Sequence, residues 1–531
     1  LYGCIFFFFF LSLGISKSGK MGRRQPTFKP YHQHQLMLLP PSLEELIPKD
    51  HACRVVNDVI NRISLEPLNS AYHTTGCSSY HPQMLLKVLV YGYVSNVYSS
   101  RKLEIACREN INFMWLSGMS YPDHNTINRF RSIRLRKALR CVFEEVVKLL
   151  ASEGLLSIED VYTDGTKIEA NANKYTFVWK KSIQTNKEKM KVALQEIWDY
   201  AQRVAKAEAE LPEPPDLKDI DKEKVQATVD KLNTVLGNNP SVSNKIRAKL
   251  RYVTKNYPSK IAQYEQQESV LADGNSYSKT DPDATFMRMK DDHMRNGQLK
   301  AGYNIQISTS NQFIVNYSIH ANPTDTRTLA LHLDQHYQSY GQYPACITAD
   351  AGYGSQENYT FLAENEITGY VKYSLFDKQQ KRNHWHKNPF AVANLFYNQD
   401  QDCYICPMGQ KMSCIGRFNQ KTSTGFQQEV KKYQAVNCSS CPLNGACHKS
   451  SGNRIIQVNQ TLNNQKVKAY ELLNSELGIV KRKKRCHDVE SVFGNIKQNH
   501  KFRRFMLRGK EKVSIEWGLL AIAQNIRKKA A

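Results

Sequence analysis

The stretch Tyr162-Thr-Asp-Gly-Thr-Lys-Ile-Glu-Ala-Asn-Ala-Asn173 decides how this chain is read. A short β-prone run, Ile158 to Thr163, ends in the pair Asp164-Gly165, an acid at the point where a strand gives way to a turn. A second run of this kind, Ala345-Cys-Ile-Thr-Ala349, ends in Asp350, with Gly352 shortly after it. In an open sheet, carboxylates at the carboxyl ends of neighbouring strands converge in one crevice. The pattern therefore predicts an α/β core with an acidic crevice.

The segments around these runs fill in the order. Met190, Leu194, Ile197, Ala201 and Val204 recur three or four residues apart, as do Val225, Val229, Leu232 and Leu236, and later Ile246, Leu250, Val253 and Tyr257. Such seams predict a helical, coiled-coil-like insertion over 187–264. Strands resume beyond it: Tyr303, Ile305 and Ile307 alternate with Asn304, Gln306 and Ser308, and Phe313 to Ile319 follows a short polar turn, the pattern of a hairpin. A helix is expected over Thr328 to Tyr340, a further strand within Glu366 to Tyr373, and a long helix near the end with Ile515, Leu519, Ile522 and Ile526 on one face.

On the N-terminal side, residues 43–150 read as helical. Leu103-Glu-Ile-Ala106, Phe113-Met-Trp-Leu116 and Asp123-His-Asn-Thr-Ile-Asn-Arg-Phe-Arg131 give helix, turn and capped helix. That order suits a helix-turn-helix reader of DNA, and it equally suits a helical scaffold with a solvated basic face. The charge favours a polyanionic partner: 73 Lys and Arg against 49 Asp and Glu leave +24. With 41% hydrophobic residues, a disordered basic tail is excluded. Nine basic and three acidic residues fall in 99–140, and twelve against three in 481–512.

The apolar run Leu1 to Ile15 is shorter than the roughly 18 residues of a membrane span. No basic residues precede it as they would in a signal peptide. Residues 1–20 are read as translation from upstream of a true start at Met21. Of 13 cysteines, six lie between Cys403 and Cys447, which suits a metal site better than a disulfide framework. Cys403-Tyr-Ile-Cys406, Cys438-Ser-Ser-Cys441 and Cys447 offer five candidates for the four places of a structural zinc, with packing of reduced thiols as the alternative.

A third acid for the crevice is Glu490, in Asp488-Val-Glu-Ser-Val-Phe-Gly-Asn-Ile-Lys497, where helical spacing places Glu490, Phe493 or Gly494, and Lys497 on one face. Three carboxylates are hard oxygen ligands suited to two Mg²⁺ (or Mn²⁺) ions for phosphoryl transfer. Lys497 is a candidate for holding a substrate phosphate. Arg503, Arg504 and Arg508, with Lys481 to Arg485, are expected to line the approach and neutralise backbone phosphates.

These neighbourhoods, together with Ser100-Arg-Lys-Leu-Glu104, Pro122-Asp-His-Asn-Thr-Ile127, Cys406-Pro-Met-Gly409 and Arg503-Arg-Phe-Met-Leu-Arg-Gly509, resemble the DDE transposases of bacterial insertion sequences. The resemblance spans about residues 22–528, in the subgroup with an N-terminal helical domain and a cysteine-containing insertion. It implies a ribonuclease-H-like mixed-sheet core in which Asp164, Asp350 and Glu490 hold Mg²⁺. It also implies cleavage at the ends of an insertion sequence and strand transfer into target DNA. The partners implied are double-stranded DNA, both terminal inverted repeats and target, and a second copy in a homodimeric synapse; the setting is the bacterial cytoplasm, at the nucleoid. Related transposases carry an arginine four residues before the glutamate. Here that position is Cys486, and Arg485 stands one residue off the pattern. The expected organisation is a helical DNA-binding domain over 21–150 and a catalytic domain over 151–531, interrupted by 187–264 and by a cysteine-rich insertion over 376–460. An inactive DNA-binding or regulatory derivative, and a ribonuclease-H-like nuclease that cuts without joining, are the competing functions.

Overall fold

The computed structural model describes residues 42–70, 72, 79–173, 176–205, 220–237, 242–271, 275–289, 299–381 and 388–531. The expected upstream extension, 1–20, lies outside the described residues. Five strands form the body of a six-stranded mixed sheet: β1 (Asp160–Glu169), β2 (Leu299–Ser310), β3 (Phe313–His320), β4 (Cys346–Ala349) and β5 (Thr368–Val371). Their spatial order is β3-β2-β1-β4-β5, with a sixth strand, Thr285–Arg288, pairing with the start of β2. Three strands are antiparallel and the last two run parallel to β1. This is the mixed-sheet α/β core that the resemblance implied.

The strand of the opening stretch does not stop at Asp164-Gly165, as the turn-forming pair suggested. β1 continues to Glu169, because β2 pairs with it antiparallel from Tyr162↔Thr309 to Glu169↔Gly302. What ends beside Asp164 is the parallel ladder, whose last pair is Thr163↔Ala349. Asp164 and Asp350 are therefore the first residues beyond that ladder on adjacent strands, and they remain neighbours although only one strand ends there.

The hairpin expected at 303–319 is β2 and β3, turned by Asn311 and Gln312, both left-handed with φ 51° and 67°. Its alternating polar residues do not face water. Asn304, Gln306 and Ser308 are fully buried, and a chain of hydrogen bonds runs from the Thr163 hydroxyl to Ser308 (2.8 Å), to His332 Nε2 (2.8 Å), from its Nδ1 to Ser318 (2.7 Å), and on to His320 (2.7 Å).

The C-terminal helix, Lys510–Ala530, departs furthest from its expected single face: residues from Ile515 to Ile526 are all buried. It is enclosed because it packs against the sheet through β3 and against the N-terminal helices Ala52–Arg62, Pro82–Val94 and Leu135–Ser152. Even its polar residues are used inward. Asn525 exchanges hydrogen bonds with the backbone of Ile314 (2.7 and 2.8 Å), and buried Glu516 accepts from the backbone N–H groups of Met506 and Leu507. One continuous core consequently runs from Ile47 to Ile526.

The predicted seams of the helical insertion are its buried positions. Helices Lys180–Ala205, Lys222–Leu236 and Asn244–Leu271 enclose Leu194, Ile197, Val225, Val229, Leu232, Leu236, Leu250 and Val253 in a core of their own. The cysteine window forms a separate five-stranded antiparallel sheet between Phe396 and Val458. Near the N-terminus, Asp123 caps His124–Arg129 by accepting from Thr126 N (2.7 Å). Glu104 accepts from the backbone N–H of His124 (3.1 Å) and lies 2.7 Å from its Nδ1, so the two quoted motifs of this region are bonded to each other.

Burial disfavours the charged imidazolium at His332, whose pKa lies well below the usual value, and at His320 and His336, where it falls to about 4. His320 faces Lys510, which acts in the same direction, and Asp325, which opposes it. Because the folded-state values are depressed, the unfolded chain takes up protons first as the pH falls. The stability these groups confer is whole above about pH 6.5 and is lost from there down to about 4, by on the order of 3 kcal/mol for His320. Melting temperature should fall between pH 7 and 5, and less so in His320→Gln; a flat profile for the native chain over that range would contradict this account.

Candidate active site

Asp164 and Asp350 enter the crevice from β1 and from the loop after β4. Asp350 accepts from Gly352 N (2.8 Å) and so caps a short 3-10 turn, while Asp164 accepts from Gly165 N (2.7 Å). Both are held by local backbone, which fixes their carboxylates close to the strands that carry them.

Glu490 arrives from a different element. The helix Glu476–Arg485 passes into a π-helical turn, Cys486–Glu490, then a short α segment, Ser491–Gly494, then a second π turn, Asn495–Asn499. Buried Asp488 pins this segment to the β2–β3 hairpin, accepting from the Thr309 hydroxyl (2.7 Å) and from Gln312 N (3.1 Å). The loosened winding alters two expectations. Glu490 and Lys497 were placed on one face by α-helical spacing, but the Glu490 side chain is 53% exposed while Lys497 is largely buried. Conversely, a π turn brings residue i−5 over residue i, so Arg485 stands where a regular helix would put residue i−4.

Arg485 lies between the acids. One guanidinium nitrogen is 3.2 Å from Asp164 Oδ2 and the other 3.0 Å from Glu490 Oε1. Burial works against its charge, yet Asp164, Asp350 and Glu490 together outweigh it and raise the pKa above the ordinary value. The guanidinium is thus locked in its charged form. As the side chains stand, no three His, Cys, Asp or Glu among the described residues are close enough to share one metal ion.

A fourth carboxylate, unmarked in the sequence reading, joins this group. Asp325, in the 3-10 turn that follows β3, accepts through Oδ1 from Asn304 Nδ2 (2.8 Å) and Gln306 Nε2 (2.9 Å). Beneath the acids, the fully buried Tyr353 hydroxyl donates to Gln306 Oε1. Its pKa is raised well above the usual value, first by burial and then by the charges of Asp325, Asp164 and Asp350.

The basic residues expected along the approach are divided. Lys481 is buried against Asp160 (2.7 Å) and Cys346, Arg482 lies over the Phe376 ring, and Arg485 is among the acids. Lys483 and Lys484 are exposed. Arg503 donates to Gln498 (2.8 Å), Arg504 to the carbonyls of Ala170 (3.2 Å) and Ala172 (3.0 Å), and Arg508 to that of Asn171 (2.9 Å). These last two fasten the 503–509 segment to the end of β1 while their side chains stay at the surface, a structural use that charge counting does not disclose.

Of the cysteine candidates, Cys406, Cys438, Cys441 and Cys447 line one pocket with His448 and Arg454. Cys403 does not: it is buried in the strand Cys403–Ile405, away from that lining. Backbone N–H groups point at two of the sulfurs, Gln410 N at Cys406 (3.3 Å) and Arg454 N at Cys438 (3.4 Å), and the Arg454 guanidinium at Cys447 (2.9 Å).

Removing Arg485 takes from buried Asp164 the guanidinium 3.2 Å from its Oδ2. Arg485→Met is expected to cost about 3 kcal/mol of unfolding free energy, and adding Asp164→Asn should restore much of it. Denaturant titration of the two single variants and the double variant checks the pair, and strictly additive losses would dissociate Arg485 from Asp164.

Residues 41–133 match the family model described as Transposase domain (DUF772), and residues 405–530 match the one described as Transposase DDE domain. The second match contains Glu490 and the C-terminal helix; Asp164 and Asp350 lie outside it. No curated protein matches the chain. Among the described residues, no helix is long and apolar enough to cross a membrane. The chain thus carries a match to a transposase domain toward one end and to a transposase DDE domain at the other, which is consistent with the DDE transposases of insertion sequences that its motifs resemble.

Proposed function

We propose that the chain cleaves DNA at the ends of its own insertion sequence and transfers the freed strand into target DNA, with Asp164, Asp350 and Glu490 as the reactive carboxylates. The observation that carries this reading is the meeting of acids from β1, from the loop after β4 and from a π-wound helix around the Arg485 guanidinium. The donor set consists of carboxylate oxygens, which suits Mg²⁺ or Mn²⁺ in preference to softer metals. Such ions, held by these three residues, would supply neutralising charge for displacement at a phosphodiester.

The chain's own residues set the rest. Asp164 and Asp350 hold their place through local backbone N–H groups, so they need little reorganisation when DNA arrives. Arg485 offers a planar, permanently charged fork suited to a phosphate once its carboxylate partners are otherwise engaged. Exposed Lys483, Lys484 and Arg503 continue positive charge away from the crevice, where the DNA backbone would run. Synapsis of two ends would require a second copy of the chain.

Asp164→Asn, Asp350→Asn and Glu490→Gln should each reduce cleavage of end DNA by at least a hundredfold while leaving DNA binding within a few-fold. Gel assays of cleavage, joining and binding on the same preparations decide the matter. Normal cleavage by any one variant removes that residue from the set. Cleavage without covalent joining to target DNA would favour the nuclease reading, and binding with no cleavage by the native chain the inactive derivative.

For the cysteine sheet we propose a structural zinc held by Cys406, Cys438, Cys441 and Cys447, supported by their shared pocket and by the N–H groups directed at two sulfurs. Protein purified without chelator should carry about one zinc per chain, and Cys441→Ser should lose it, whereas Cys403→Ser should not. Zinc-free native protein, with the fold intact, would leave the thiols as packing groups.

A further inference from the structure

Two glycines in the crevice have a steric cause. A Cβ on Gly165 would come closer than real Cβ contacts do to Gln306 Nε2 and, at 2.7 Å, to Asp325 Oδ1; one on Gly352 would stand 3.0 Å from Asp350 Oδ1, with Asp325 Oδ2 at an ordinary contact distance of 3.7 Å. Gly165 thus leaves room for the Gln306 and Asp325 side chains together, and Gly352 for that of Asp350, with Asp325 Oδ2 in contact range of the same position. Asp325 fills that room from the far side, entering from the turn after β3.

Its carboxylate is held asymmetrically. Oδ1 takes two amide N–H bonds, from Asn304 and Gln306, both fully buried on β2, and Gln306 is itself oriented by the hydroxyl of Tyr353. Oδ2 has no hydrogen-bond partner among the described residues and lies, with Asp350 Oδ1, around the same point above Gly352. A carboxylate oriented through one oxygen by neutral donors, with its other oxygen left beside a neighbouring acid, is arranged as an outward-facing ligand.

Building on the functional reading above, we infer that Asp325 is a fourth carboxylate of the catalytic centre, contributing Oδ2 to a divalent cation on the Asp350 side. Asn304, Gln306 and Tyr353 are the positioning residues that aim it. The set is then Asp164, Asp325, Asp350 and Glu490, with Arg485 balancing part of its charge.

Two measurements on the full chain test this. Mn²⁺ binding by calorimetry should weaken at least tenfold in Asp325→Asn, a change that retains an acceptor for Asn304 and Gln306, as it should in Asp164→Asn. Independently of any substitution, Fe²⁺ with ascorbate and peroxide should cut the native backbone around 322–327 as well as near 164 and 350. Asp325→Asn binding Mn²⁺ within twofold of the native chain, or radical cuts near 164 and 350 with none at 322–327, would overturn the role of Asp325 and leave the three-acid reading standing. A native chain that binds no Mn²⁺ and is cut nowhere in the crevice would overturn both. In Asp325→Cys, cleavage restored by Mn²⁺ but not by Mg²⁺ would support direct ligation, because a purely structural aspartate has no reason to respond to the softness of the metal.

Discussion

Like charges brought together out of bulk water must be offset, and the rest of the site is organised around that constraint. Asp164, Asp325, Asp350 and Glu490 reach one crevice, and the Arg485 guanidinium bridges two of them with N–O separations of 3.0 and 3.2 Å. Coulomb repulsion among neighbouring carboxylates in a partly desolvated setting would otherwise favour protonating an acid or opening the crevice. A permanently charged guanidinium avoids both outcomes. It also gives the crevice a cation whose position depends on the same π turn that delivers Glu490.

That turn is held by tertiary bonds. Asp488 grips the β2–β3 hairpin two residues before Glu490, and apolar Val489, Val492 and Ile496 bury the segment's inner side. The hairpin is in turn fastened to the C-terminal helix by the exchange between Asn525 and Ile314. This helix lies between the sheet and the N-terminal helices, so the acidic crevice and the region matched by the N-terminal transposase domain share one core. A disturbance at Glu516 or Asn525 would be transmitted to both, through packing that close interiors propagate.

Much of this could be read from the residues in order. The β-prone runs before Asp164 and Asp350, the seams of Met190 to Val204 and Val225 to Leu236, the hairpin of Tyr303 to Ile319 and the cap at Asp123 all depend on local periodicity or local hydrogen bonding, which leave a mark on neighbouring positions. Elsewhere the local signal misled. Asp164-Gly165 looked like a turn, but an antiparallel partner more than a hundred residues away carries the strand onward. Spacing put Glu490 and Lys497 on one face and Arg485 out of position, because it assumes an α-helical pitch that the π turns do not keep. Cys403 belonged to a C-x₂-C pair in sequence and to a strand interior in space.

By itself, then, the sequence determined which segments are helix or strand and which acids stand next to β-prone runs, since those follow from side-chain periodicity and short-range chemistry. The tertiary structure decided what meets what. Asp325 carries no flanking signal, and its place beside Gly165 and Gly352 arises only when the turn after β3 folds across the middle of β1 and the end of β4. Arg504 and Arg508 look like phosphate binders until the end of β1 presents them with carbonyls. Long-range contacts of this sort depend on the paths of several elements at once, and no single stretch of residues encodes them.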